Sequence, residues 1–157
     1  MIVNLRLFPE GGLTVEGEED PAIVDLDDPL TDFLRPIAYR LRVDRTGRLL
    51  LVRGTLETEA LLTCSRCLKI FPFPVRVAPF AREIEIGDNQ EKIDLTGDIR
   101  EDIILAIPAK PLCRAACRGL CPLCGQELNA GDCGCRVPES DTPFAELDQL
   151  LGNNQKG

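Results

Sequence analysis

Six of the eight cysteines in this 157-residue chain fall between Cys113 and Cys135, spaced C-x3-C-x3-C-x2-C-x8-C-x-C. The other two stand as Cys64-Ser65-Arg66-Cys67. A C-x2-C turn lets two thiolates meet one tetrahedral ion while nearby backbone N–H groups point at the sulfurs. Four soft sulfur ligands select zinc first, with an iron–sulfur cluster as the alternative. Eight cysteines make two such sites, so two zinc ions are expected. Cys121, Cys124, Cys133 and Cys135 close the shorter loop, which costs the least closure entropy. That leaves Cys64 and Cys67 with Cys113 and Cys117. The rival division pairs Cys64 and Cys67 with Cys121 and Cys124.

The chain has no histidine. Every Ser-His-Asp, Cys-His or His-ligated catalytic metal site is therefore excluded. A catalytic metal also needs an open coordination position and an acid–base partner, so the cysteine sites are expected to be structural. Only carboxylates, lysines and thiolates remain for catalysis, and no small-molecule substrate is expected. The residues from Met1 to Leu7 alternate like a strand and lack a signal-peptide apolar core, and no apolar run approaches membrane-spanning length. A cytoplasmic location, no membrane partner and reduced thiols follow as expectations.

The formal net charge is −8, which argues against indiscriminate nucleic-acid binding. The charge is unevenly placed, however. Nine acids and no base lie between Pro9 and Leu34, whereas ten bases face three acids from Arg35 to Arg82. From Ile103 to Gln126 there are three bases (Lys110, Arg114 and Arg118) and no acid. RNA would have to bind where the cysteines are. Arg66, Lys69, Arg76, Arg114 and Arg118 are the candidate phosphate contacts. Phe71 and Phe73 are read as core side chains, with base stacking as the other reading.

The elements that must position these residues read as strands first. Ile37, Tyr39, Leu41 and Val43 alternate with polar neighbours, and Asp44-Arg45-Thr46-Gly47 is a turn signal. A second strand is expected over residues 48–62, bent at Gly54. A third follows at Phe71 to Val77, which Pro72 and Pro74 confine to an edge or bulge. Ile84 and Ile86 suggest a further short strand after Pro79. Asp98 and Glu101 have capping-box spacing ahead of a helix carrying Ile99, Ile103, Ile104 and Ile107 that Pro108 stops. A last helix should begin at Thr142-Pro143, with Phe144, Leu147, Leu150 and Leu151 as its apolar stripe. The fold expected is α+β: an antiparallel sheet, a central helix, a cysteine-rich zinc segment and a C-terminal helix. Its parts are an acidic segment with a first strand (1–34), the sheet and helix (35–108), the zinc segment (109–136), and the final helix and tail (137–157).

Several blocks in order resemble the YceD family, the large ribosomal RNA subunit accumulation proteins. They are Cys64-Ser-Arg-Cys67-Leu68, then Ile93-Asp94-Leu95, then the run from Arg100 to Pro108, and last the run from Cys117 to Asn129, which contains Cys121-Pro-Leu-Cys124-Gly125. The resemblance covers residues 35–151. Some members carry an Asp-Pro-Arg where this chain has Pro143-Phe144-Ala145. The resemblance implies a non-enzymatic bacterial or plastid factor needed for accumulation of 23S ribosomal RNA. It maps the family's cysteine motif onto Cys64, Cys67, Cys113, Cys117, Cys121 and Cys124, with Cys133 and Cys135 completing it. The implied partner is large-subunit rRNA or a pre-ribosomal particle. Two other functions fit the residues: a protein adaptor for a basic partner such as a ribosomal protein, and a thiol redox or metal sensor.

Overall fold

The period-two alternation of the middle of the chain folds as strands, and the longest of them organise everything else. The computed structural model describes residues 1–136 apart from Leu7 and Glu10. Its strands are β1 (Ile2–Asn4), β2 (Leu13–Glu19), β3 (Thr31–Phe33), β4 (Ile37–Thr46), β5 (Leu49–Thr63), β6 (Ile70–Glu85) and β7 (Lys92–Asp94), followed by the helix α1 (Thr96–Leu105). A short 3-10 turn spans Pro21–Val24. The helix expected from Thr142 lies outside the described residues.

β5 is the axis of the main sheet. It pairs with β6 along one edge and with β4 and then β3 along the other, all antiparallel, and β2 lies outside β4. The expected meander is the run β4-β5-β6. The acidic first third contributes more than its first strand, because β2 and β3 also come from it. Glu16 of β2 sits opposite Arg40 of β4 and pairs with it at 3.1 Å. Glu16 thus meets a base of the basic stretch across the sheet, on its exposed face.

The separate strand expected after Pro79 is a continuation of β6. Ala78 and Pro79 together face Thr55 alone, so one extra residue is absorbed as a bulge and pairing resumes at Phe80 opposite Gly54. Pro72, Pro74 and Pro79 cost no ladder bonds on the outer side because β6 is an edge strand.

One face of the sheet is apolar. Ile37, Leu41, Val43, Leu50, Val52, Leu56, Val75 and Phe80 are buried there under Ile99 and Ile103 of α1 and under the small β1–β7 pair. Phe71 and Phe73 pack half-buried against this core, which is the reading favoured from the sequence. Arg82 extends from the same face of β6. Its guanidinium reaches Asp98 at 3.0 Å and Asp102 at 2.5 Å and lies 5.3 Å from the Phe80 ring centroid. The expected capping box does not form. The helix starts at Thr96, with Leu95 at its N-cap and no side-chain cap bond, so Asp98 falls inside the first turn, where it pairs with Arg82.

Candidate metal centres

The β5–β6 hairpin ends in the six residues from Cys64 to Lys69, so the C-x2-C pair crowns the two longest strands of the sheet. Three bonds shape this tip. The Cys64 N–H donates to the Lys69 carbonyl at 2.9 Å, the Leu68 N–H donates to the Cys64 carbonyl at 3.0 Å, and Leu68 takes a left-handed φ of 59°. The same scheme recurs at Cys121. Its N–H donates to the Gln126 carbonyl at 2.8 Å, the Gly125 N–H donates to the Cys121 carbonyl at 2.9 Å, and Gly125 has φ 74°. The two knuckles are therefore structural repeats, although their sequences share little beyond the cysteines.

Leucine at the left-handed position of the first knuckle is costly where glycine serves in the second. The left-handed region costs an L-residue about 1–2 kcal/mol, and Leu68 is 63% exposed, so little burial offsets this. Leu68→Gly should raise the stability of the metal-loaded protein by up to about 1 kcal/mol, since added freedom in the unfolded chain takes back part of the gain. Denaturant melts check this, and a lower midpoint would mean that the Leu68 side chain holds something in place.

Two sets of four sulfurs assemble around these knuckles. Cys64, Cys67, Cys113 and Cys117 form one, Cys121, Cys124, Cys133 and Cys135 the other, and within each set all Sγ atoms lie within 4.8 Å of one another. This is the preferred division from the spacing; the rival pairing with Cys121 and Cys124 is not the one made. All eight are free thiols. Cys64 and Cys117 are 3.8 Å apart at sulfur, and Cys67 and Cys113 are 3.6 Å apart. A tetrahedron of zinc–sulfur bonds has edges of about 3.8 Å. Each set could hold a metal ion.

The electrostatics fit a dication as well. Backbone N–H groups of Cys113, Cys67 and Arg66 hold the Cys64 thiol down to about 6, and those of Cys124 and Leu123 do the same, to about 6, for Cys121. The Asn129 side chain lowers Cys117. The last thiols to ionise go the other way. Burial and then the neighbouring sulfurs push Cys113 up to about 12, and the Cys124 and Cys133 sulfurs push Cys135 up to about 12. Backbone and amide donors thus favour anionic sulfur at part of each cluster, and a bound dication would offset the mutual repulsion that raises the rest. With four thiolate ligands no coordination position stays open for substrate.

The two sets differ in setting. The first is buried at Cys64, Cys67 and Cys117 and ties the hairpin to residues 113–117, helped by a 2.8 Å bond from the Ser65 N–H to the Pro111 carbonyl. The second leaves Cys124 and Cys135 exposed and closes a loop within residues 121–135. Between them, Leu120 bridges to Glu127 and its N–H donates to the Arg66 carbonyl at 3.1 Å.

Four of the five candidate phosphate contacts lie beside these clusters, already engaged. The Arg66 guanidinium donates to the Cys117 carbonyl at 2.7 Å, Lys69 pairs with Glu127 at 2.7 Å, Arg114 donates to Asn129 Oδ1 at 2.8 Å, and Arg118 pairs with Asp132. Arg76 stands apart on the outer face of the sheet, paired with Glu57 at 3.2 Å. Glu127 and Asn129 were not singled out from the sequence. They lie inside the run that carries the family resemblance, but nothing in their spacing marks them as neighbours of Cys117.

The family model described as "Large ribosomal RNA subunit accumulation protein YceD" matches residues 78–151, which include half of β6, α1 and six of the cysteines. An uncharacterized protein of Mycobacterium tuberculosis is 31% identical over 90% of this chain and 68% of its own length. The Bacillus subtilis protein YlbN is 25% identical over 75% of this chain and 76% of its own. A chloroplastic protein of Arabidopsis thaliana, named large ribosomal RNA subunit accumulation protein YCED homolog 1, is 35% identical over 42% of this chain and 21% of its own. No solved structure matches. Among the described residues no helix is long and apolar enough to cross a membrane.

Proposed function

Because the chain belongs to the YceD family, the large ribosomal RNA subunit accumulation proteins, we propose that it is a non-enzymatic, cytoplasmic factor in biogenesis of the large ribosomal subunit, held together by two zinc ions. Its partner on this reading is the 23S rRNA or a precursor particle. The observation that carries the reading is the gathering of Arg66, Lys69, Arg114 and Arg118 around the two cysteine clusters. Lys69 and Arg118 are exposed ion pairs, and such pairs are worth only about 0–1 kcal/mol, so phosphate can displace their carboxylates at little cost. Arg66 serves mainly as a clamp on the Cys117 carbonyl.

The triple substitution Lys69→Gln, Arg114→Gln and Arg118→Gln tests this. Association with large-subunit precursor particles should fall roughly tenfold near 100 mM salt, and the slope of log K against log salt should flatten by about 2. Zinc content should stay at two ions per chain. Unchanged association across a salt series would overturn the RNA contact and leave the adaptor reading. That second reading has its own support: Leu30, Leu68 and Leu105 are large exposed apolar residues, and Leu30 and Leu68 line a groove with Leu26, Ile104, Ile107 and Pro111 that suits a protein segment.

A further inference from the structure

The loop closed by the second cluster reaches back to the first. Residues 125–132 connect Cys124 to Cys133, and in their midst Asn129 points at Cys117, a ligand of the other site. Its Nδ2 lies 3.4 Å from the Cys117 sulfur. The orientation of the amide is fixed by its other end. Oδ1 accepts from the Arg118 backbone N–H at 2.9 Å and from the Arg114 guanidinium at 2.8 Å, both of them donors only, so the opposite side must be the donating NH2. Arg114 and Arg118 flank Cys117 in sequence. The carboxamide therefore bridges three points of the first cluster's segment from a residue held by the second.

Other bonds tie the same loop to the same place. Glu127 pairs with Lys69, two residues past Cys67, and the Leu128 N–H donates to the Gly119 carbonyl at 2.9 Å. These contacts require residues 126–132 to be ordered, and closing the second cluster around Cys124 and Cys133 removes most of the loop's freedom.

The geometry points to Asn129 as a positioning residue that donates to the Cys117 sulfur and couples the two metal sites, so that filling the second cluster tightens metal binding at the first. By linkage the effect is reciprocal. An N–H donor to a coordinated thiolate spreads its charge and fixes its direction, and outer-shell partners of this kind are typically worth 10- to 100-fold in metal affinity. Asn129 is not itself a ligand. The inference rests on the reading of the two clusters as metal sites.

The test uses the full chain, reduced and loaded with Co2+, then titrated with a competing chelator while the thiolate-to-metal charge-transfer bands are followed. Asn129→Asp is the informative variant. It keeps both acceptor bonds, to Arg118 N–H and to Arg114, but loses the donor and places a carboxylate oxygen beside the sulfur. It should still bind two ions and stay folded by circular dichroism, with one site weakened 10- to 100-fold and its charge-transfer band shifted. Asn129→Gln should not restore the band. Coupling is tested by Cys124→Ser with Cys135→Ser, which should weaken the remaining site in the wild-type background by about tenfold and hardly at all in the Asn129→Ala background. Two sites of wild-type affinity and spectrum in Asn129→Asp would overturn the role of Asn129. Equal effects of the serine pair in both backgrounds would overturn the coupling through it. Failure to take up Co2+ or zinc at all would overturn the metal reading on which both stand.

Discussion

Removing metal with a strong chelator is expected to release two zinc ions per chain and to melt residues 109–136 while the sheet stays folded. The apolar face of the sheet has its own core, from Ile37 through Phe80, sealed by Ile99 and Ile103, and none of it depends on a sulfur. The cysteine segment has almost nothing comparable. Among the described residues, only Phe71, Leu112, Cys113 and Leu120 pack as partly buried apolar neighbours around Cys64, Cys67 and Cys117. Burial on that scale cannot hold an irregular segment against its conformational entropy. Structural zinc bound by four cysteine or histidine ligands in small domains is worth about 10–16 kcal/mol in apparent terms, and on the proposed reading that contribution would substitute for the missing core.

Single substitutions should divide the two clusters. Cys117→Ser removes a buried ligand from the site that ties residues 113–117 to the β5–β6 hairpin, so the whole segment should lose its anchor. Cys124→Ser removes an exposed ligand from a local loop, and the segment should stay attached. Amide hydrogen exchange read by mass spectrometry separates the outcomes. Chelation or Cys117→Ser should abolish protection at residues 111–121, with β4, β5 and β6 retained. Protection that persists in metal-free protein would mean that the segment folds on its own packing, contrary to this account.

The second large effect is expected at Gly54. It lies opposite Leu41 in the β4–β5 pair, and a Cβ there would sit 2.0 Å from the Arg40 carbonyl oxygen and 2.9 Å from the Leu41 Cα. Both are backbone atoms of the paired strand, so no side-chain rotation relieves the clash. Gly54 also marks the step at which β6 shifts register, so β5 is pinned by pairing on both edges. Gly54→Ala should destabilise the protein by about 2–3 kcal/mol, the range for forcing volume into a packed site, and Gly54→Val by more. The midpoint of chemical unfolding measures this, with metal held saturating. An Ala variant within about 0.5 kcal/mol of wild type would mean that β4 can move aside.

Much of this was legible in advance because it depends on period and spacing. Alternation at Ile37 to Val43 gave a half-buried strand, and Pro72 and Pro74 required an edge. Where the reading failed, a distant partner had won over a local signal. Pro79 reads as a stop, yet a bulge opposite Thr55 carries β6 through it. Asp98 and Glu101 read as a capping box, yet Arg82, sixteen residues before Asp98, claims Asp98 and Asp102. The pairing of Glu16 with Arg40 likewise depends on a strand pair that propensity alone did not reveal.

The cysteines show the same boundary from the other side. By itself the sequence determined that a metal site must be built of thiolates, with carboxylates the only other candidates, since no histidine is present, and that eight cysteines suffice for two. It also favoured the four-and-four division, because loop closure is cheapest for Cys121 to Cys135. Only the tertiary structure decided that the first pair crowns the longest hairpin and that both knuckles share one hydrogen-bond scheme. Only it could show that Asn129 of one loop meets Cys117 of the other site. The physical reason is range: turn chemistry and ligand spacing act over a few residues and are written locally. A bond between Asn129 and Cys117 exists only once the sheet and both knuckles have fixed where those two segments run.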